Sequence, residues 1–166
     1  MKTSMIPPHT PWWKNPRGEW YVLVQAILFV LILWGPRNWP GLGWPLSDSA
    51  SSISGIALMA LGLALSIAAA FNLGGNLTPL PHPKDDASFV FSGPYRVVRH
   101  PMYGGVILLA LGWAVHVEGG LTLAYAASTI LFFDIKTRRE ERWLMQRFPE
   151  YAAYRTRVRK LIPFIY

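Results

Sequence analysis

The sequence predicts an all-α, polytopic membrane protein with about four transmembrane helices and a C-terminal cytosolic helical segment. Apolar residues make up 52% of the 166 residues and charged residues only 15%, whereas soluble domains carry about 25% charged residues. Long apolar runs recur along the chain, and its eight Trp are typical of membrane–water interfaces. The length suits one domain over residues 1–166.

The N-terminal half predicts an interfacial segment followed by two membrane helices within residues 20–73. Residues 1–19 are rich in Pro and Trp, and the apolar run Trp20–Trp34 follows them. A signal peptide is the alternative for this run, but no small-residue cleavage site follows it. The second run, Ile53–Leu73, carries no charge, and at 1.5 Å per residue it spans about 31 Å, enough to cross the hydrocarbon core.

The second apolar run is also rich in small residues. Membrane helices pack closely through such surfaces, because no water drives their association. We therefore expect this stripe to pack against neighbouring helices; its members are Gly55, Ala57, Ala60, Gly62, Ala64, Ser66 and residues 68–70.

Residues 74–166 predict a core made of a loop, a helical hairpin and C-terminal helices. The loop at 72–100 is long, which is uncommon unless a loop is functional or disordered. Its apolar residues at 89–91 favour an ordered lid or wall of a site. Pro101 opens the third helix, since a first turn needs no N–H from it.

The hairpin is expected to turn near residues 118–120. Its third helix runs to about Val117 and its fourth from Leu121 to about Phe133, followed by a cytosolic helix from Asp134 to about Phe148. Pro149 restarts the helix after that point.

The distribution of Lys and Arg predicts how the chain is oriented in the membrane. The net charge is +7, and with four spans, Arg37 alone among the Lys and Arg residues would lie on the side opposite both termini. By the positive-inside rule both termini are cytoplasmic, and we expect a prokaryotic inner membrane. Basic residues that flank apolar runs serve as anchors, so no nucleic-acid partner is expected. The oligomeric state stays open.

Two polar clusters lie at the two feet of the predicted hairpin, at 93–103 and 138–142. Arg99 and His100 precede a helix N-terminus, which favours an anion. A carboxylate of Glu140 or Glu141 can accept from an ammonium group or from ribose hydroxyls. Tyr95 and Tyr103 offer aromatic faces. Such a site suits S-adenosylmethionine or NADPH, although membrane anchoring alone could explain the same residues.

Several classes of chemistry find no support in the residues. The chain has no cysteine, which excludes a thiolate nucleophile and a cysteine-ligated metal. The four His lack ligand spacing, so no metal site is expected. A serine hydrolase would need a nucleophile elbow, and none is present.

The sequence resembles the isoprenylcysteine carboxyl methyltransferase family, which belongs with the integral-membrane phospholipid methyltransferases. The similarity covers about residues 74–163. It rests on the run GPYRVVRHPMYG at 93–104, on EERWL at 140–144, on the tyrosines at 151 and 154, on Pro163 and on NLTP at 76–79.

This resemblance implies an S-adenosylmethionine-dependent methyltransferase that acts on a lipid or prenylated substrate at the cytoplasmic membrane face. It implies cofactor binding by Arg99, His100, Pro101 and Tyr103, and by Glu140 and Glu141; Tyr95 joins this set from its chemistry. A carboxylate acceptor would need only a cation to position it, for which Arg138, Arg139 and Arg96 are candidates. An amine acceptor would need a base, for which Glu141 and His100 are candidates.

Two other functions stay open. Sterol reductases resemble the same C-terminal architecture, so an NADPH-dependent membrane reductase of a sterol-like or isoprenoid-like substrate is the alternative enzyme. A non-enzymatic membrane scaffold, in which the clusters only anchor helices, is the third possibility.

Overall fold

The computed structural model describes residues 11–41, 44–45, 47–163 and 166. It contains five α-helices: α1 (Glu19–Trp34), α2 (Asp48–Leu73), α3 (Pro101–His116), α4 (Gly120–Arg147) and α5 (Tyr151–Arg157). Short 3-10 helices lie at Trp12–Lys14, Gly74–Asn76 and Gly93–Arg96. No strand occurs in these ranges, where Val98 and Arg159 form an isolated bridge. The all-α prediction is confirmed, and residues 1–10 of the expected interfacial segment lie outside the described ranges.

The fourth predicted helix and the cytosolic helix after it are one element, α4, with 28 residues. No Gly or Pro interrupts the chain between Leu121 and Arg147, so only polarity, and not backbone direction, changes at Asp134. The helix ends where Phe148 becomes extended, with φ −123° and ψ 99°. The following Pro149 favours that conformation because its ring disfavours a helical residue before it.

One helical stretch among the described residues, Asp48–Asn76, is long and apolar enough to cross a membrane. It is not the covered core helix of a soluble domain, because Ile53 is 71% and Phe71 82% exposed. The apolar helices α1 and α3 are shorter, with 16 residues each. The number of four spans therefore stays a prediction.

Close packing of α2 against α3 determines the centre of the fold. The two helices run antiparallel, so that Gly55 lies opposite Gly112 and Gly62 lies opposite Gly105. A Cβ atom on Gly62 would lie 2.6 Å from the carbonyl oxygen of Gly105, and one on Gly55 would lie 2.7 Å from that of Gly112. The predicted use of the small-residue stripe for helix packing is confirmed at Gly55, Gly62 and Ser66, whereas Ala57, Ala60 and Ala64 are exposed.

The other helices are attached to this pair at both ends. At one end, the backbone N–H of Leu121 donates to the carbonyl of Arg37 at 2.9 Å and that of Gly120 donates to Oδ1 of Asn38 at 2.9 Å, which satisfies the open N-terminus of α4. Trp113 Nε1 of α3 donates to the carbonyl of Ile32 on α1 at 3.0 Å. These contacts align the far ends of α3 and α4 at the opposite face, where the polar clusters lie.

The glycine contacts generate a stability prediction. Gly62→Ala places a methyl group against backbone atoms of α3 that cannot rotate away, so the helices must separate. We expect a loss of about 1–3 kcal/mol of stability, the usual range for an overpacked core. The measurement is thermal unfolding in detergent micelles. Gly75→Ala is the matched control, because nothing lies within 4 Å of its Cβ position; equal melting temperatures for the two variants would contradict the packing role.

Candidate functional site

The entrance to α3 is held by the C-terminal segment of the chain. The backbone N–H of Arg99 donates to the carbonyl of Arg159 at 2.7 Å, and that of His100 donates to the carbonyl of Lys160 at 3.0 Å. Pro101 at the first helical position has no N–H to satisfy. The two side chains before α3 are thereby turned toward α4.

Glu141 of α4 is the centre of a buried charge cluster. Its Oε1 accepts from Nε of Arg99 at 2.8 Å and from Nε2 of His100 at 3.1 Å. Its Oε2 lies 3.3 Å from Nε of Arg155. Arg99 also donates to the carbonyls of Arg155 and Val158. One carboxylate therefore connects α3, α4 and the C-terminal segment.

This cluster keeps Glu141 ionised. Burial alone would raise the pKa of Glu141, but the hydrogen bond and charge of His100, and then those of Arg99, outweigh it and lower the pKa to about 2. Because an ionised carboxylate only accepts, Nε2 of His100 carries a proton and donates it. Both oxygens of Glu141 already have protein partners, so its predicted roles as cofactor ligand and catalytic group stay predictions.

Glu140, the next residue, faces a different direction. Its Oε2 accepts from the hydroxyl of Tyr103 at 2.8 Å, while its Oε1 makes no hydrogen bond within the described part of the chain. The ring of Tyr103 stacks between His100 and Phe133, with centroid distances of 5.6 and 4.6 Å. Tyr103 therefore fixes the position of a carboxylate that keeps one oxygen available.

The buried ammonium of Lys136 lies behind this stack, 5.1 Å from the ring centre of Tyr103. Its Nζ donates to Oε1 of Gln25 at 2.7 Å and to the carbonyl of Pro79 at 3.1 Å. Burial lowers the pKa of Lys136 to about 8, against the opposing charge of Glu140. Lys136 thereby connects α4 to α1 and to the loop at 77–92.

A cleft lies in front of Glu140, and its empty volume of about 840 Å³ includes space that is open to solvent. One wall comes from the loop, as predicted. The others come from the entrance to α3, from α4 and from α5; the lining includes Leu77, Pro81, Phe89, Tyr95, Arg99, His100, Met102, Tyr103, Glu140, Leu144, Phe148, Tyr151 and Tyr154.

One end of the cleft is aromatic. Phe89 from the loop makes edge contacts with the rings of Tyr151 and Tyr154, at centroid distances of 5.9 and 5.4 Å. The hydroxyl of Tyr154 donates to the carbonyl of Tyr95. The hydroxyl of Tyr151 is buried without a hydrogen-bond partner among the described residues, and burial raises the pKa of Tyr151 well above its ordinary value. Buried hydroxyls are nearly always hydrogen-bonded, and because Tyr151 lines the cleft, we expect a bound ligand to supply this partner.

The structure brings together most of the predicted site residues. Tyr95, Arg99, His100, Tyr103 and Glu140 line the cleft, whereas Pro101 and Glu141 do not. Tyr151 and Tyr154, two of the residues on which the family resemblance rests, line it as well. The sequence does not predict that the Tyr151 hydroxyl lacks a hydrogen-bond partner among the described residues.

Arg138 and Arg139 lie elsewhere. Arg138 pairs with Asp134 at 2.6 Å and is 69% exposed. Arg139 donates to the carbonyl of Asn15 at 2.9 Å and lies 4.8 Å from the ring centre of Trp143. Neither side chain lines the cleft, and their predicted role in positioning an acceptor stays a prediction.

Comparison with known proteins establishes the family. The sequence profile of the phospholipid methyltransferase family matches residues 50–151, which includes both polar clusters. The chain belongs to this family. Its members similar to this chain include methanethiol S-methyltransferase 1 of Bradyrhizobium diazoefficiens, with 29% identity over 92% of this chain. Protein-S-isoprenylcysteine O-methyltransferase of Homo sapiens is 32% identical over 69% of this chain.

The phospholipid methyltransferase fold also matches a solved structure. The eukaryotic intramembrane Ras methyltransferase ICMT superposes with a TM-score of 0.64 over 97% of this chain and 55% of its own, at 23% identity. The chain spans 58% of the length of the Bradyrhizobium relative and 42% of that of the human one. The resemblance seen in the sequence is confirmed at the level of family and fold.

The charge cluster around Glu141 generates a pH prediction. Its pKa falls from 4.5 to about 2 on folding, so its stabilising effect is complete above the higher value and is lost as pH falls toward the lower one. Glu141→Gln should therefore lower the melting temperature at pH 7, and the difference from wild type should shrink between pH 5 and pH 2. Glu150→Gln, at an exposed position, is the control. A wild-type advantage that stays constant with pH would contradict the assignment.

Proposed function

We propose that this protein is a membrane-embedded methyltransferase that transfers a methyl group from S-adenosylmethionine to a lipophilic acceptor at the cytoplasmic membrane face. Family membership supports the reaction class. The observation that carries the cofactor assignment is the charge of the cleft, in which the carboxylate of Glu140 is available while the cations are already paired.

The charges favour a cationic cofactor over a phosphorylated one. Arg99 and His100 both donate to Glu141, so they offer little to the phosphates of NADPH, and Glu140 would repel them. S-adenosylmethionine carries a sulfonium and an ammonium group, which a carboxylate attracts. The reductase alternative is therefore not favoured. The family to which the chain belongs is one of methyltransferases, which also argues against a reductase.

The residues of the cleft fit S-adenosylmethionine. Oε1 of Glu140 can accept from an ammonium group or ribose hydroxyls, and the unpartnered hydroxyl of Tyr151 can donate or accept. The rings of Phe89 and Tyr154 offer apolar faces to a purine. When bound, this cofactor supplies a methyl group on a positively charged sulfur.

The residues of this chain would contribute to the reaction mainly by holding the reactants in the right orientation. Orientation supplies much of the rate in a direct displacement, and Tyr103, held between His100 and Phe133, fixes Glu140. The loop at 77–92 contributes one wall of the cleft. A thiolate or carboxylate acceptor needs no base in the transfer step, whereas a neutral thiol or amine must lose a proton.

The acceptor is expected from the membrane. The exposed apolar side chains of α1 and α2 support a contact with lipid. The relatives named for methanethiol and for isoprenylcysteine support a sulfur or carboxylate nucleophile on an apolar carrier. Incubation with methyl-labelled S-adenosylmethionine and a host lipid extract should give a labelled lipid, identified by mass spectrometry. Label that stays in the cofactor under all acceptor conditions would contradict the proposal.

Cofactor binding can be tested separately from turnover. Glu140→Gln should weaken S-adenosylmethionine binding about tenfold or more, since a hydrogen bond to a charged group contributes about 1.5–3 kcal/mol. Isothermal titration calorimetry of the protein in detergent measures the dissociation constant. Glu150→Gln, with the same chemical change at an exposed position, should bind as wild type does; equal affinities in all three proteins would refute the assignment.

Tyr151→Phe separates a ligand contact from a structural one. The hydroxyl has no protein partner to lose, so the melting temperature without cofactor should not fall. The affinity for S-adenosylmethionine should fall about fivefold, as expected for one neutral hydrogen bond. Lower stability with unchanged affinity would show that the hydroxyl has a structural role.

A further inference from the structure

A second hollow lies on the far side of Glu141 from the cleft. Its empty volume is about 890 Å³, part of it open to solvent. We call it the basic hollow, because six of its nine lining side chains are cationic; the lining is Arg99, Arg138, Glu141, Arg142, Met145, Arg155, Arg159, Lys160 and Tyr166.

The basic hollow carries an excess of positive charge, although four of its six cations are paired with carboxylates. Arg99 and Arg155 pair with Glu141, and Arg138 and Lys160 pair with Asp134. The exposed side chains of Arg142 and Arg159 make no hydrogen bond or ion pair within the described residues. Because these two cations have no counter-charge there, an anion that contacts both would be favoured.

The position of the hollow along α4 determines which anion reaches it. Leu131 and Ile135 are 65% and 48% exposed, and Arg138 and Arg142 continue the same face of the helix at steps of three and four residues. At 1.5 Å per residue, Arg142 lies about 10 Å beyond Ile135 along the axis. A lipid that covers the apolar part of this face would place its headgroup beside the two arginines.

Two side chains at the rim of the hollow have the character of a membrane interface. Tyr166 is 47% exposed, and Nζ of Lys160 lies 5.5 Å from its ring centre. Ile162, nearby in the same C-terminal segment, is 50% exposed. Amphipathic aromatic rings beside apolar and basic residues are typical of the headgroup region.

We propose that the basic hollow binds the phosphate headgroup of an anionic phospholipid from the surrounding bilayer. Basic pockets between membrane helices on the cytoplasmic side bind such headgroups. The guanidinium groups supply paired N–H donors for the phosphate oxygens. The exposed stripe of α4 supplies the acyl-chain contact that a free anion lacks. This site and the proposed cofactor cleft are different hollows, and Arg99 lines both of them.

Lipid binding can be measured by native mass spectrometry of the full chain released from detergent. Phosphatidylglycerol and phosphatidylcholine with the same acyl chains are titrated against the wild type and two double variants. Arg142→Gln with Arg159→Gln removes the two unpaired cations. Arg37→Gln with Arg157→Gln changes the net charge equally at exposed positions outside the hollow.

We expect the wild type to bind phosphatidylglycerol more tightly than phosphatidylcholine. The hollow variant should bind phosphatidylglycerol about 25-fold more weakly, because each basic residue near an anionic lipid contributes about a fivefold factor. The control variant should bind as the wild type does. All melting temperatures should agree, since the four substituted side chains have no hydrogen bond or ion pair to lose within the described ranges.

Two results would overturn the proposal. The first is equal loss of phosphatidylglycerol binding in the hollow and control variants, because net charge alone would then explain it. The second is full displacement of the bound lipid by millimolar inorganic phosphate, which would show an anion site without a lipid contact. Neither result depends on cofactor binding, so the methyltransferase proposal stands or fails separately.

Discussion

The ionised carboxylate of Glu141 is the interaction on which the arrangement of the polar face depends. It is buried, and it stays charged because Arg99, His100 and Arg155 surround it. A buried charge without partners would be costly, so each of the three elements that carry these residues is held in place by it. The order of helices alone would not fix the C-terminal segment against the entrance to α3. This carboxylate and the two backbone hydrogen bonds of Arg99 and His100 fix it together.

The helix pair at the centre and the charge cluster at one face fix different parts of the structure. Glycines bring the backbones of α2 and α3 within contact distance. This contact fixes the position of the entrance to α3 relative to α2. The cluster then sets the rotation of α4 about its own axis. As a result, Glu140 faces the cleft, Glu141 faces His100 and Lys136 faces α1. Neighbouring residues of one helix thus serve three different environments.

The sequence was sufficient for the helices, the helical hairpin and the two clusters at its feet, because apolar runs and polar breaks report directly on burial. It was insufficient for the orientation of residues 138–141. Consecutive residues on a helix point about 100° apart, so four of them cover the whole circumference, and only tertiary packing decides which one faces a cleft. The spacing of Lys136, Glu140 and Leu144 predicts part of this orientation, since residues four apart share a face. Of these three, Glu140 and Leu144 line the cleft. The unpartnered hydroxyl of Tyr151 depends on contacts between distant segments, and local sequence does not specify those.

The glycine contacts between α2 and α3 have a consequence for traffic into and out of the cleft. Helices in backbone contact cannot part without breaking the centre of the fold, so the entrance to α3 keeps a fixed position. The wall contributed by residues 77–92 has no helix in it and is attached by a few polar bonds, among them those from Asn76 to Ser88 and from Arg147 to Asp85. A bulky ligand would therefore gain room more readily by a shift of this segment than by separation of α2 from α3.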